Sequence, residues 1–448
     1  MKRTFLQRTL TIGKNIKEDY IEIIRTNATD FIRKRKITLS DLFLQMIANK
    51  GRSQKNELFE FYREVKPKMD ISATAFFNAR MKFNPEALLR IMQDVTFEEY
   101  NEPDFLTQLN NYYVFAIDGS DVSLPATDET RDIYGHYRNQ HGESENTVLS
   151  SISTLYDCIN ELFLDIRINP YKFSEKSSAS DHMNCIKQMM PIGADYLTIF
   201  DRGYASIRLI DQMITSKQNF LIRLPGFAFK REQQLLTTLE PDQWIDICYD
   251  NKRANQYRTE FEFHEKLLNT TYHLRFVRLL YHDDKGNEHT NVFITNISKE
   301  IFPTEEIYNL YHLRWNIETS YRSLKSQIGM ENFSGLRDRL IRQDIYAAAF
   351  VHNNISMIIA ENTTQNSETE KKHHKYENKI NRNYALGVLK HDLVKMYVLF
   401  KDKKATRAAQ KQFEKDIMRY SCPIRKGRTN PRQVVGNLKN KTPYRKTF

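Results

Sequence analysis

Asp118, Asp201 and Glu318 are the acids of this chain best placed to face a ligand together. Asp118 closes the apolar run "YYVFAIDGS" (112–120), and Asp201 closes "DYLTIFDRGY" (195–204). A carboxylate where a strand ends points past the sheet edge, towards solvent and a ligand. Glu318 lies in "YHLRWNIETSYRSLKSQIG" (311–329), which reads as one helix. With Tyr311 at zero and about 100° per residue, Arg314 falls near about −60°, Glu318 near about −20°, Arg322 near about +20° and Lys325 near about −40°. One stripe about 80° wide thus carries an acid, a phenol and three cations. Leu313, Ile317, Tyr321, Leu324 and Ile328 form an apolar stripe beside it, the side expected to hold the helix on a sheet.

Three carboxylates brought together raise one another's pKa unless a cation neutralises them. Hard divalent ions favour oxygen ligands, and Mg²⁺ is usually held by one or two carboxylates, water and substrate phosphates. Two such ions clamp the attacking and leaving oxygens of an in-line phosphoryl transfer. Arg314, Arg322 and Lys325 would then hold a polyanionic backbone beside the metals. The same charges also describe a solvated face. Arg314–Glu318 and Glu318–Arg322 are i,i+4 pairs, worth about 0.2–0.5 kcal/mol each. From charge pattern alone the solvated face is the commoner outcome, and Trp315 beside it more often packs at a domain contact than stacks on a base.

The elements that must position these residues follow from the apolar pattern. The first strand leads into a hairpin, "VLSSISTLYD" (148–157) and "CINELFLDIRINP" (158–170), then a helix at 180–191 and the strand that ends in Asp201. A helix (205–217) and a strand, "NFLIRLP" (219–225), follow. This is the order of a ribonuclease H-like α/β core, in which two strand acids and one helix acid converge. Residues 226–290 alternate as β-hairpins, "EFEFHEKLL" among them, and predict a β-rich insertion. The expected organisation is a helical N-terminal DNA-binding region (1–105), a core of 106–225 and 291–360, the insertion (226–290), and a helical and basic C-terminal region (361–448). Within residues 1–100, "SDLFLQMIANKG" (40–51), "NELFEFYREV" (56–65) and two small helices over 71–92 fit a helix-turn-helix-like reader or a plain bundle. The polar stretch 361–379 reads as a linker and 384–401 as a further helix.

Composition narrows the partners. The net charge is +11, and residues 401–448 hold 15 Lys and Arg against 3 Asp and Glu. Residues 1–100 carry 19 basic and 13 acidic side chains, "RKRK" (33–36) among them. Basic ends around a near-neutral middle fit a phosphate-bearing partner or a solubilising tail. Four cysteines without a CxxC pair argue for reduced thiols, against a disulfide framework and against structural zinc. No apolar run is long enough to span a membrane, and the first residues lack a signal-peptide core, so the chain is expected in the cytoplasm, nucleoid-associated when on DNA.

The helix also carries Tyr-x2-Arg-x3-Glu-x6-Lys, as Tyr311, Arg314, Glu318 and Lys325. This spacing, with "AIDGSDVSLP", "IFDRGYAS" and "GMENFSGLRDRLIRQDIYA", resembles the large group-four family of bacterial insertion-sequence DDE transposases. The resemblance runs from about residue 38 to 400. It implies a cut-and-paste transposase acting on double-stranded DNA, both transposon ends and target. Asp118, Asp201 and Glu318 would bind two Mg²⁺, with Mn²⁺ able to substitute, and catalyse cleavage and strand transfer. Tyr311, Arg314 and Lys325 would contact terminal DNA; Arg322 and Arg202 join them on position alone. It further implies a homodimer on paired ends, with sequence reading by the N-terminal helices. The alternatives are a catalytically silent end-binding repressor and a ribonuclease H-like DNA nuclease.

Overall fold

The computed structural model describes residues 4–423, except 102, 104, 137, 140–141, 144–146, 283–285 and 368–377. Its centre is one eight-stranded mixed sheet: β1 (Tyr113–Leu124), β2 (Val148–Asp157), β3 (Leu162–Pro170), β4 (Tyr196–Phe200), β5 (Asn219–Leu224), β6 (Asp242–Ile247), β7 (Tyr272–His282) and β8 (Glu288–Thr295). The spatial order is β3-β2-β1-β4-β5-β8-β7-β6. β1, β2 and β3 form an antiparallel meander, whereas β4 and β5 run parallel to β1. The α/β, ribonuclease H-like order expected from sequence is therefore present. Tyr113 to Ile117 are all buried, as a strand paired on both edges and covered on both faces requires.

The segment 226–290 is not a separate β unit. Its strands β6 and β7, with β8, extend the core sheet antiparallel from β5. "EFEFHEKLL" is helical, not a strand (Phe261–Leu268). The alternation of Phe261 and Phe263 suggested a strand, but Glu and Lys are good helix formers. Phe263 and Leu267, four apart, supply the packing face: Leu267 is buried and Phe263 half-buried, while Phe261 faces solvent.

The two terminal helical regions form one body against the core. α1 (Phe5–Ile24) and α2 (Leu39–Ala48) both begin with a Thr capping box, Thr4 with Gln7 and Thr38 with Asp41. α1 buries Phe5, Leu6, Leu10, Ile16 and Ile24, and Gly13 lets α2 approach: a Cβ there would lie 3.3 Å from the Leu44 side chain. α3 (Gln54–Val65), α4 (Ala73–Arg80) and α5 (Pro85–Asn101) follow, Pro85 standing at the first helical position, where its missing N–H costs nothing. The long helix Asp338–Ser367 packs on α5, α2 and β3. It runs into the stretch read as a linker, because Glu361 and Asn362 are buried against the N-terminal helices rather than solvated. Arg80, fully buried, donates to Gln343 Oε1 (2.8 Å) and Asp344 Oδ1 (2.8 Å), fastening α4 to that long helix.

Helices Arg382–Leu399 and Lys403–Met418 complete the described C-terminal region; the basic tail beyond 423 lies outside the described residues. All four cysteines are free thiols. Among the described residues no helix is long and apolar enough to cross a membrane.

On the opposite side of the sheet, α6 (Glu175–Met189) is pinned by a buried polar chain. Asp165 Oδ2 accepts from His182 Nδ1 at 2.9 Å, His182 Nε2 meets Ser153 Oγ at 3.0 Å, and Gln93 Nε2 donates to Asp165 Oδ1 at 3.0 Å. Burial opposes the charge on Asp165, yet His182 and Arg167 hold its carboxyl below the usual range.

Candidate active site

The parallel register brings the two strand acids together. Ile117 of β1 pairs with Phe200, the last residue of β4, so Asp118 and Asp201 are the next residues along each strand. Asp118 does not end its strand. β1 continues to Leu124 because β2 still pairs with it on the other edge, from Phe115↔Asp157 to Leu124↔Val148. The acid therefore sits where the sheet splits, with one neighbour kept and one lost. Such a split exposes strand ends to a ligand.

Glu318 comes from above this split, on a helix whose winding is less regular than expected. Residues 311–329 are not one α-helix. A short helix α7 (Ile307–His312) and a second, α8 (Trp315–Ser323), are joined through Leu313 and Arg314 by tight i→i+3 bonds, among them Arg314 N–H to Tyr311 O (3.1 Å) and Ile317 N–H to Arg314 O (3.1 Å). Leu324–Ile328 then widen into a π turn, closed by Gly329 at φ 78°. Tertiary contacts override ideal winding at both places: Arg314 is held by two acids and Lys325 by β1.

The expected stripes survive this distortion. Ile317, Tyr321 and Leu324 are buried, with Leu313 and Ile328 packed at the margin. The Tyr321 hydroxyl donates to the carbonyl of Asp118 (2.8 Å) and meets Thr154 Oγ1 (2.8 Å). Asn316 Nδ2 donates to Cys158 O at 2.8 Å, one turn from Ser320, whose hydroxyl bonds Tyr156. The helix is thus fastened to β2 and to the peptide of the first acid.

The polar stripe closes over the acids. Arg314 Nη1 donates to Asp118 Oδ2 at 3.1 Å and Nη2 to Glu318 Oε1 at 3.1 Å. The Tyr311 hydroxyl donates to Asp201 Oδ1 at 2.8 Å, its ring resting 5.0 Å from that of Phe293. Lys325 Nζ donates to Ser120 Oγ at 2.8 Å, two residues beyond Asp118. Arg314 is 7 % exposed, so its guanidinium is an internal counter-ion. Arg322 and Arg202 are exposed on the rim.

These surroundings drive the two strand acids apart. Burial pushes Asp118 up to about 6, more than Arg314 and the Gly119 amide (2.9 Å) pull it down; Glu175 and Glu318 add to the rise. Burial acts on Asp201 too, but the Arg202 amide, the Tyr311 hydroxyl and Arg314 hold it below the ordinary carboxylate value. Burial likewise raises the Tyr311 phenol to about 12, with Asp201 adding to it, and lowers Lys325.

Glu175, at the start of α6, was not legible in sequence. Burial raises its carboxyl, then the charges of Asp201 and Asp121. It lies so close to β1 that a Cβ on Gly119 would meet its Oε1 at 2.9 Å. Tyr321 belongs to the apolar stripe of the sequence. Its spacing signals burial, and nothing local signals the hydroxyl's partner.

Among the described residues no three acidic, histidine or cysteine side chains are arranged to hold a single ion. The acids gather instead around a guanidinium, which stands in for a cation between Asp118 and Glu318. Hard oxygen donors, a buried carboxyl raised by lack of solvation, and a buried Arg314 Nε without a partner fit a site made to exchange one positive charge for another.

Residues 110–354 match the family described as "Transposase DDE domain", which takes in the whole sheet and all three acids. The chain belongs to this family. Among relatives of this DDE-domain chain, the transposase for insertion sequence element IS231C of Bacillus thuringiensis subsp. berliner is 24 % identical over 240 residues, 46 % of this chain and 49 % of the relative. That for IS231E of Bacillus thuringiensis subsp. finitimus is 25 % identical over 239 residues, again 46 % and 49 %. The chain spans about half the length of the curated relatives it matches. A solved piggyBac transposase synaptic complex with hairpin DNA aligns at TM-score 0.48 and 10 % identity, covering 96 % of this chain and 86 % of that one.

Proposed function

We propose that this chain is a DDE transposase that binds the terminal inverted repeats of an insertion sequence and carries out Mg²⁺-dependent DNA cleavage and strand transfer. The observation that carries the reading is that Arg314 bonds both Asp118 and Glu318 at the split between β1 and β4, where Asp201 follows β4 beside Asp118 and accepts from Tyr311. Membership of the DDE-domain family supports it. Asp118, Asp201 and Glu318 would hold two Mg²⁺, which when bound supply the charge that activates a water or a 3′-OH and offsets the displacement.

The chain's own residues do the remaining work. Arg314 balances Asp118 and Glu318 in the free chain, and turning to a phosphate would release both carboxylates. Tyr311 orients Asp201, while Tyr321 fixes the peptide of Asp118. Lys325, Arg322 and Arg202 ring the acids with positive charge suited to a DNA backbone. We assign end recognition to the N-terminal helical region (1–105), phosphoryl transfer to 106–225 and 291–360, and further DNA or dimer contacts to the basic C-terminal region (361–448). Synapsis by a homodimer and action in the bacterial cytoplasm belong to the same reading.

Glu318→Gln tests it. Cleavage of a duplex carrying the element's ends in Mg²⁺ should be abolished, while binding to that duplex is retained. Undiminished cleavage would overturn the assignment.

A further inference from the structure

Five rings from four separate elements line up on the surface beside the acid site. Trp315 of α8 lies 6.2 Å from His312, His312 6.2 Å from Tyr308, Tyr308 6.1 Å from Tyr281 of β7, and Tyr281 5.3 Å from its cross-strand partner His289 of β8. Successive ring planes are tilted by only 22–31°. The row is open to water: Trp315 is 46 % and Tyr308 39 % exposed, and His312 and His289 are exposed as well. Helical spacing accounts for Tyr308, His312 and Trp315 sharing a face. It does not account for β7 and β8 continuing the same line. Aromatic surface left in water across several elements marks a binding surface.

We propose that this row is a stacking track for the bases of an unpaired DNA strand, leading from the acid site onto the β7–β8 hairpin. The proposal rests on the transposase reading above. Every base offers a π face, so a series of rings holds a strand with little regard to sequence. Phenol and imidazole add groups that can hydrogen-bond to base edges. The inner end of the row is fixed at the chemistry. Trp315 follows Arg314 directly, and the guanidinium that bonds Asp118 and Glu318 is 5.8 Å from its ring. A base on Trp315 would bring its own phosphates up to that guanidinium. Exposed Arg322 lies about 20° from Trp315 on the same helix face, two turns on, and supplies charge for the backbone. The row begins at the guanidinium that holds the acids, which favours the bases of a phosphate-bearing strand over an apolar protein surface as its occupant.

The chain has two tryptophans, Trp244 and Trp315, so Trp244→Phe leaves Trp315 as the sole indole reporter. Thymidine mononucleotide and oligothymidylates of increasing length are titrated into this full-length variant at low salt. Trp315 fluorescence should be quenched, with affinity rising with length and levelling once the row is covered. Tyr308→Ala, at an exposed position, should weaken the longer oligomers about 5-fold or more, and Tyr308→Trp should restore them. Equal affinity for mononucleotide and oligomer would reduce the row to a single-base contact and overturn the track. Retained duplex binding without oligothymidylate binding would overturn the track alone; loss of both would overturn the functional reading beneath it. If Tyr308→Ala alters self-association in light scattering and leaves oligomer affinity unchanged, the row is a protein contact and the proposal fails.

Discussion

Tyr321→Phe removes a single oxygen and asks whether the helix positions the first acid through its peptide. That hydroxyl donates to Asp118 O and meets Thr154 Oγ1, each at 2.8 Å, and both Tyr321 and Thr154 are buried. A phenol carries one proton, so the Thr154 hydroxyl must donate to Tyr321 while Tyr321 donates to the carbonyl. The variant therefore strands the Thr154 donor and takes one bond from the Asp118 carbonyl. Leaving a buried group unpaired costs about 1–3 kcal/mol, and the phenyl ring keeps the packing, so the net loss should be about 2 kcal/mol. Urea unfolding should show a lower midpoint at unchanged slope. In a double-mutant cycle with Thr154→Val the coupling should be about 1 kcal/mol. The cleavage rate in Mg²⁺ should fall about 10-fold or more at unchanged duplex affinity, because small misplacements of reacting groups are expensive. A stability change under about 0.3 kcal/mol together with an unchanged rate would refute the idea that the helix sets Asp118 through this bond.

Lys325→Ala should weaken duplex binding and lower the slope of log affinity against log salt by about 0.9, one phosphate contact. An unchanged slope, measured by anisotropy across salt concentrations, would leave Lys325 only as the fastener of the π turn to Ser120. Glu361 predicts a pH dependence away from the site. Burial pushes its carboxyl from an ordinary 4.5 up to about 7, with Glu99 adding to it, while its Oε1 accepts from the Phe5 amide at 2.7 Å. The folded chain keeps this proton to a higher pH than the unfolded one. The contribution is therefore present at acid pH and is lost as pH rises from 4.5 to about 7, by at most about 3 kcal/mol. Glu361→Gln keeps the acceptor and should flatten that fall in urea titrations; an identical pH profile in the variant would remove Glu361 as its source.

Local pattern was enough to find the core strands, the hairpin and the helices near 40–65 and 384–401, and to single out Asp118, Asp201 and Glu318 as candidates. These features depend on apolar periodicity and on residue type, both of which are written in short windows. The two stripes of 311–329 were legible for the same reason, since side chains three and four apart share a face even where the winding departs from ideal.

What tertiary structure alone decided depends on partners far apart in sequence. Asp118 lies within a strand rather than at its end because β2 keeps pairing after β4 has stopped. Residues 311–329 break into two helices and a π turn because Arg314 and Lys325 are tied to β1. "EFEFHEKLL" became helical because one packed face, with Phe263 and Leu267, outweighed alternation. Arg314 turned inward as a counter-ion, a choice between phosphate and carboxylate that spacing cannot express. Glu175 reached the site only through the packing of α6 on the sheet, and the aromatic row only through the pairing of β7 with β8 beside α7. Residue types and their period set which groups could act; burial and long-range pairing set which of them meet.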